Sequence, residues 1–384
     1  CIRDRNMVFD LVLLHPPSVY DFRKLPIMHG PISDVIPSTP IFEMYPIGFV
    51  SISEYLTRMG LEVRIINVAR KMLNSRRYNF EDEIKNIKAH AFGIDLHWMP
   101  HVHGSIELAK IIKKYHPNTP VLFGGYSASY YHRDLVENYE EIDVVVKGDS
   151  TERIMYRLVL AFKEGRSIED IPNITFRMDG DVVDNPITEV PDTLDHVAID
   201  YTHLMRKVVK YRDPRGYEPF KEWVRYPITA VFPCRGCIYN CKTCGGSAWA
   251  LKRIVSRKKP AIRSPELLAK DIENVSRLLK TPIFIMCDML QFGSDYIEKL
   301  MFYLRKLDLD NEFVVEFFKP PDEEVIRLIG KSLRNYNIEI SPESHDDKVR
   351  KAFGRPYTTE DLEKFIDVAK KNRCKRLDIF FMIG

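Results

Sequence analysis

The stretch CRGCIYNCKTCGGS, residues 234–247, gathers four of the chain's seven cysteines into one loop. Two spacings can be read from it. All four cysteines give C-x2-C-x3-C-x2-C, and the last three give C-x3-C-x2-C. A structural zinc site is a closed tetrahedron, usually built from two cysteine pairs a dozen or more residues apart. Four thiolates from one tight loop wrap a single small ion poorly. A cubane iron–sulfur cluster is larger and suits such a loop. In ferredoxin-type runs the last cysteine ligates a second cluster, and no cysteine set for a second cluster exists here. Three thiolates on a four-iron cubane leave one iron open, and an open position is where substrate chemistry takes place.

Outward from the loop, the pattern is that of parallel α/β architecture. The apolar run ITAVFP leads directly into Cys234, so the loop sits at the carboxyl end of a predicted strand, where such folds collect their active sites. Behind the loop, strands are predicted at PIFIMCD, EFVVEFF, YNIEIS and RLDIFFMIG. Helices are predicted over 265–280, 295–307, 321–331 and 359–372, the first with Ser264 as N-cap and Pro265 at its first position. Ahead of it, strand and helix alternate about five times through residue 165, which predicts a doubly wound parallel sheet. Asp149 and Glu152 are spaced as a capping box for the last of these helices. Between 166 and 226 the alternation stops. ITFRMDGDVV predicts a hairpin turning on Asp179-Gly180, and the rest predicts an ordered connecting strap. The expected organisation is a Rossmann-like domain over 1–165, the strap over 166–226 and a partial barrel over 227–384.

Composition excludes several classes. Apolar residues make up 45% of the chain and the net charge is +3, which gives no case for nucleic-acid binding. The basic run LKRIVSRKKPAIR predicts a solvated loop or helix face. No apolar run reaches the roughly 18 residues that span a bilayer, and the start, CIRDRNMVFD, lacks a signal peptide's apolar core. The expectation is a cytoplasmic protein. An odd cysteine count in a chain this long does not suggest a disulfide framework.

CIYNC followed by KTC resembles the C-x3-C-x2-C signature of radical S-adenosylmethionine (SAM) enzymes. That resemblance implies a 4Fe-4S cluster on Cys237, Cys241 and Cys244, with Cys234 outside the set. Thr243 departs from the family, which usually has an aromatic residue before the last cysteine. The resemblance further implies that SAM is held near Gly245 and Gly246, by Asp288 in FIMCDMLQF, and by Ser341 and Glu343 in IEISPESHDD with its Arg-x-x-Thr turn. Asp288 equally suits a cap for the helix near 295, and Glu343 a surface N-cap. The first domain resembles the cobalamin (B12)-binding domain fused to many such enzymes, on VLFGGYSASYY and VVVKGDSTE. This implies a cobalamin site near Gly124, Gly125 and Ser127. The Asp-x-His-x-x-Gly lower-ligand motif is absent, so His97 in DLHWMP is expected to be an ordinary loop histidine and no histidine of this domain is expected on the cobalt.

The function implied is reductive cleavage of SAM to a 5′-deoxyadenosyl radical, with cobalamin-dependent methyl transfer to an unreactive carbon of a small-molecule substrate. The partner implied is a low-potential electron donor such as ferredoxin or flavodoxin. Ring closure, rearrangement and sulfur insertion are competing reactions. The alternative is a non-enzymatic nucleotide-fold binding module carrying a zinc or electron-transfer cysteine loop. Only five barrel strands are counted before Gly384, and the first residue is Cys1. The expectation from the sequence is therefore a portion of a longer polypeptide, lacking a sixth strand.

Overall fold

A computed structural model describes residues 7–24, 46–218 and 229–382. Cys1, residues 219–228 of the expected strap and first barrel strand, and the final Ile-Gly of FFMIG lie outside the described residues. The chain divides into two compact units. One comprises Cys1–Val190, His203–Arg225 and Ile254–Ser256; the other comprises Pro191–Thr202, Tyr226–Arg253 and Arg257–Gly384. No helix among the described residues is long and apolar enough to cross a membrane.

The first unit is built on a seven-stranded sheet. Its strands are β1 (Leu11–His15), β2 (Val63–Asn67), β3 (Phe92–Asp95), β4 (Val121–Gly124), β5 (Val144–Val146), β6 (Ile174–Met178) and β7 (Asp181–Asp184), in the spatial order β2-β1-β3-β4-β5-β6-β7. The first five are parallel, and β1, β2 and β3 are buried along their whole length. Burial on both faces is why these strands read as unbroken apolar runs rather than alternating ones. The order 2-1-3-4-5 reverses direction between β1 and β3, and ligands bind outside the strand ends at such a switch point.

The sheet is not purely parallel. β6 and β7, the hairpin predicted on Asp179-Gly180, extend it antiparallel from β5. Both turn residues have positive φ, 50° and 92°, as a two-residue hairpin turn requires. The Lys147 ammonium, buried just beyond β5, bonds the Asp184 carboxylate and the Asn185 carbonyl, which ties the hairpin to the sheet. A lysine 37 positions before its partner carries no local signal of this pairing. The rest of the expected strap divides. Thr193 and Leu194 pair with Ile262 in the second unit, while the helix Tyr201–Tyr211 contributes Tyr211 against Phe9 and Lys207 and Lys210 to Glu62 in the first.

Two further expectations are corrected. The helix Glu152–Glu164 has Thr151 as its N-cap without a side-chain capping bond, so Asp149 and Glu152 form no capping box. Glu152 is instead 1% exposed and accepts the Ser51 hydroxyl, a contact 101 residues away that outweighs the local motif. The basic run is not simply solvated, because Arg257 and Arg263 within it are buried. Arg263 makes a two-pronged bond to Asp271 at 2.5 and 3.0 Å.

The second unit is a five-stranded parallel sheet in sequence order: β8 (Thr229–Val231), β9 (Ile283–Ile285), β10 (Glu312–Phe317), β11 (Asn335–Glu343) and β12 (Leu377–Phe381). Helices follow the strands at Pro265–Leu278, Ser294–Leu307, Glu323–Ser332 and Thr359–Lys371. The last of these opens on a full capping box, Thr358 with Asp361; Ser264 holds the N-cap position of the first without a side-chain bond. β12 pairs with β11 on one side, and Phe380 and Phe381 are about half exposed. The register aligns Glu316, Glu339 and Asp378 as neighbours across β10, β11 and β12. A register shift between Ile340 and Glu343 is a bulge that re-aims the end of β11.

Gly104, inside the helix Val102–Tyr115, is fixed by packing. A Cβ there would lie 1.8 Å from the Pro17 carbonyl oxygen. Alanine in mid-helix is ordinarily favoured over glycine by about 1 kcal/mol. Here Gly104→Ala is expected to destabilise the protein by about 1–3 kcal/mol, the cost of overpacking, read as a lower urea midpoint. An unchanged or raised midpoint would contradict this close approach.

Candidate active site

The cysteine loop begins where β8 ends. Cys234 and Arg235 pair antiparallel with Ala261 and Ile262, which anchors its base. Gly236 turns the chain at φ 111°, and a Cβ there would lie 2.9 Å from the Pro260 Cα; the glycine of RGC is thus a steric necessity. The loop folds onto itself through Ala248 N–H to Tyr239 O at 2.8 Å and Trp249 N–H to Asn240 Oδ1 at 2.9 Å. The Lys242 N–H bonds the Phe353 carbonyl, and Gly354, at φ 95°, lies against Cys241.

The four sulfurs divide by environment. Cys237 and Cys241 are half-buried and Cys244 is exposed. The Cys237 sulfur accepts the Tyr239 N–H at 3.4 Å, and the Cys244 sulfur accepts the Gly246 N–H at 3.3 Å. Burial pushes the Cys237 thiol up to about 11. Burial also raises Cys241, partly offset by Arg355. Coordination by a metal reverses this by removing the proton outright. Cys234, in contrast, is buried with its sulfur 2.9 Å from the Cys287 sulfur. No three His, Cys, Asp or Glu side chains among the described residues are close enough to share one metal ion. A cubane, whose thiolates each reach a different iron, does not require that closeness. Amide donors aimed at the sulfurs are the contacts that tune such a cluster, so the donor set fits it.

A chain of contacts joins this loop to the ends of the next three strands. Asp288, just past β9, has no exposed surface. Its carboxylate accepts the Leu290 N–H at 2.9 Å, the Phe318 N–H at 3.2 Å and the Tyr239 hydroxyl at 3.0 Å. Burial raises its pKa despite these donors. It caps the short 3-10 turn Met289–Phe292 rather than the helix beyond. Phe318, just past β10, packs edge-on to Tyr239, and its carbonyl accepts from Arg355 at 3.1 Å. Arg355 stacks over the Phe318 ring and reaches the Glu343 carboxylate at 3.4 Å. Glu343, at the end of β11, has φ 68°, a conformation non-glycine residues adopt rarely and usually under constraint. Ser341 sits half-buried on the same bulged strand end.

Of the residues expected from the sequence, Asp288, Glu343 and the cysteine loop are thus brought into one connected rim. Gly245 and Gly246 are exposed on the loop itself. Sequence reasoning missed Tyr239, Cys287, Phe318 and Arg355, which hold the rim together. The Arg-x-x-Thr turn carried Arg355 and Thr358, but nothing local assigned Arg355 its partners. Cys287 stood next to Asp288 in the quoted segment without a role.

Glu316 is the other unusual group. It accepts the Cys287 N–H at 3.2 Å. Burial, Glu339 and Asp288 push its carboxyl up to about 7.

In the first unit, Gly124, Gly125 and Ser127 gather at the end of β4. Gly125 has φ 112°, and a Cβ would lie 2.7 Å from the His97 N. The Ser127 hydroxyl bonds the His97 carbonyl at 2.9 Å. Burial lowers the pKa of His97. At the switch point itself, His15 Nδ1 lies 2.8 Å from Asp95 Oδ1, both buried.

One α/β unit with a topological switch point and another with a cysteine loop at its strand ends form an arrangement suited to cofactors. Residues 35–155 match the family model described as the B12 binding domain, and residues 231–384 that of the radical SAM superfamily. The chain thus carries one domain of the B12-binding type and one of the radical SAM type. It is 26% identical over 261 residues to the hopanoid C-3 methylase of Methylococcus capsulatus, covering 65% of this chain and 44% of that protein. It is 25% identical over 193 residues to the anaerobic magnesium-protoporphyrin IX monomethyl ester cyclase of Cereibacter sphaeroides, covering 49% of this chain and 28% of that one. The chain therefore spans less than half the length of these relatives. In fold it is similar to the radical SAM methyltransferase TsrM of Kitasatospora setae, solved with tryptophan and a SAM analogue: TM-score 0.68, 17% identity, 97% of this chain and 68% of that one. The cobalamin-dependent radical SAM enzyme OxsB, solved with aqua-cobalamin and SAM, gives TM-score 0.68 and 15% identity over 97% of this chain and 50% of that one.

Glu316 yields a pH signature. Its folded-state pKa of about 7 lies above the ordinary 4.5, so the folded chain holds this proton more tightly than the unfolded chain. Its contribution is present at acid pH and is lost as pH rises through that window. Glu316→Gln keeps an acceptor for the Cys287 amide and removes the titration. The variant is expected to lose less thermal stability than wild type on going from pH 4.5 to pH 7; parallel Tm curves would count against a buried carboxyl there.

Proposed function

We propose that this chain carries the cofactor-binding domains of a cobalamin-dependent radical SAM methyltransferase acting on an unreactive carbon of a small molecule. Cys237, Cys241 and Cys244 would ligate the 4Fe-4S cluster. The observation that carries this is the engagement of Cys234 with Cys287, which leaves three thiols of the loop for iron. When bound, the reduced cluster supplies the electron that cleaves SAM, and cobalamin supplies a methyl carrier. The protein's part is placement. The Tyr239 and Gly246 amides donate to the sulfurs of Cys237 and Cys244, two of the three that would hold the cluster. Gly245 and Gly246 leave the loop backbone open to a close ligand. Ser341 and the Glu343–Arg355 pair present polar groups at the end of β11 to SAM. Asp288 contributes by holding the rim rather than through a free carboxylate, since its oxygens already serve three donors. In the first unit, Gly124, Gly125 and Ser127 would line the cobalamin site, with His97 as a loop residue.

Methyl transfer is favoured over ring closure because the hopanoid methylase, TsrM and a Pyrococcus horikoshii protein are all named for it. A magnesium-protoporphyrin cyclase among the relatives makes ring closure the other outcome of an assay. The electron donor would be a low-potential iron–sulfur or flavin protein.

Alanine at Cys237, Cys241 or Cys244 is expected to abolish the iron-dependent visible absorbance of anaerobically reconstituted protein, while Cys234→Ala keeps most of it. Equal loss at all four positions would favour a closed four-cysteine site. Equilibrium dialysis is expected to show retention of hydroxocobalamin; a folded protein that retains none would remove cobalamin from the reading.

A further inference from the structure

Cys234 and Cys287 form a second sulfur site that cluster binding does not explain. They lie just beyond the ends of adjacent strands, β8 and β9, whose register pairs Val231 with Ile285. Their sulfurs are 2.9 Å apart and both are free thiols. Disulfide sulfurs lie about 2.05 Å apart, so closure needs a shift of under about 1 Å. Each thiol is held in place. Cys234 is fixed by the two-residue ladder with Ala261 and Ile262, and its sulfur contacts the Gly236 carbonyl at 3.5 Å. Cys287 has φ 125°, a conformation that side-chain-bearing residues avoid unless their surroundings impose it. Here Glu316 accepts its N–H, and the Gln291 side-chain amide donates to its sulfur at 2.9 Å. Two thiols fixed face to face by strain and hydrogen bonds are poised for each other.

We propose that Cys234 and Cys287 are a redox-modification site that closes to a disulfide under peroxide, fastening the base of the cysteine loop to the end of β9. The balance is two thiols and one hydrogen peroxide giving one disulfide and two waters. Cys287, the more exposed of the two, attacks the peroxide oxygen; the O–O bond breaks, water leaves and a sulfenic acid remains. The Cys234 sulfur then attacks the Cys287 sulfur, its proton leaves with the hydroxyl as the second water, and the S–S bond forms. A dithiol reductant reverses it by exchange. The thiolate is the nucleophile, and the bond from Cys234 together with burial holds the Cys287 thiol protonated well above its ordinary range. The link leaves Cys237, Cys241 and Cys244 free for iron. It starts three residues before the first of them and ends next to Asp288, which holds Tyr239 of the same loop.

The test is mass mapping of the full chain, both reconstituted with iron and sulfide and iron-free, after exposure to hydrogen peroxide and alkylation. The expected product is a non-reduced peptide pair joining residues 234 and 287, lighter by two hydrogens and lost on dithiothreitol treatment. Cys287→Ser abolishes the link, and Cys234→Ser leaves a sulfenic acid at Cys287 that a dimedone probe traps. Both thiols recovered alkylated, or linked instead to the loop's other cysteines, overturns the proposal. So does protection of Cys234 by iron, which would place it in the cluster. If either variant fails to fold, the wild-type map alone decides. The iron-free arm separates this outcome from any failure to bind the cluster.

Discussion

One buried carboxylate organises the rim of the second unit. Asp288 has no access to solvent and gathers donors from three segments: its own turn, the residue after β10, and the cysteine loop through Tyr239. A buried carboxyl is tolerated only with partners, so each donor is bound to its place by the penalty of leaving the acid unsatisfied. The loop that carries the cysteines is otherwise exposed at Cys244, Gly245 and Gly246. Its position relative to β9 and β10 rests on this tie and on the Cys234 ladder.

The same rim carries backbone strain at two residues. Cys287 and Glu343, at the ends of β9 and β11, both have positive φ, conformations that cost on the order of 1–3 kcal/mol each. The Glu316 acceptor and the Gln291 amide hold the first; the bulge and Arg355 hold the second. Gly236 and Gly354 add two points where backbone approaches backbone more closely than a Cβ permits. The first unit shows the same economy at the end of β4, where Gly125 allows the His97 loop to close over it.

The expectations that the sequence carried best were periodic or spacing-based. Strands buried on both faces read as continuous apolar runs. The helix opening at Pro265 declared itself through Ser264 and Pro265. The cysteine spacing identified the loop. Where a local motif competed with a distant partner, the distant partner won: Glu152 left its predicted capping role for Ser51. The hairpin on Asp179-Gly180 formed as expected, but as an extension of the first sheet rather than as part of the strap.

What the sequence by itself determined was therefore the set of elements, the loop and the residue types offered to cofactors, because periodicity, turn chemistry and C-x3-C-x2-C are properties of neighbours along the chain. What only the tertiary structure decided was the partnership of each side chain. Cys234 faces Cys287 across 53 positions, and Asp288 meets Tyr239 across 49. Arg355 spans from Glu343 to the Phe318 carbonyl, 37 positions away. Such contacts arise when parallel strands bring their carboxyl ends to one edge, and no local pattern records which strand end will lie beside which.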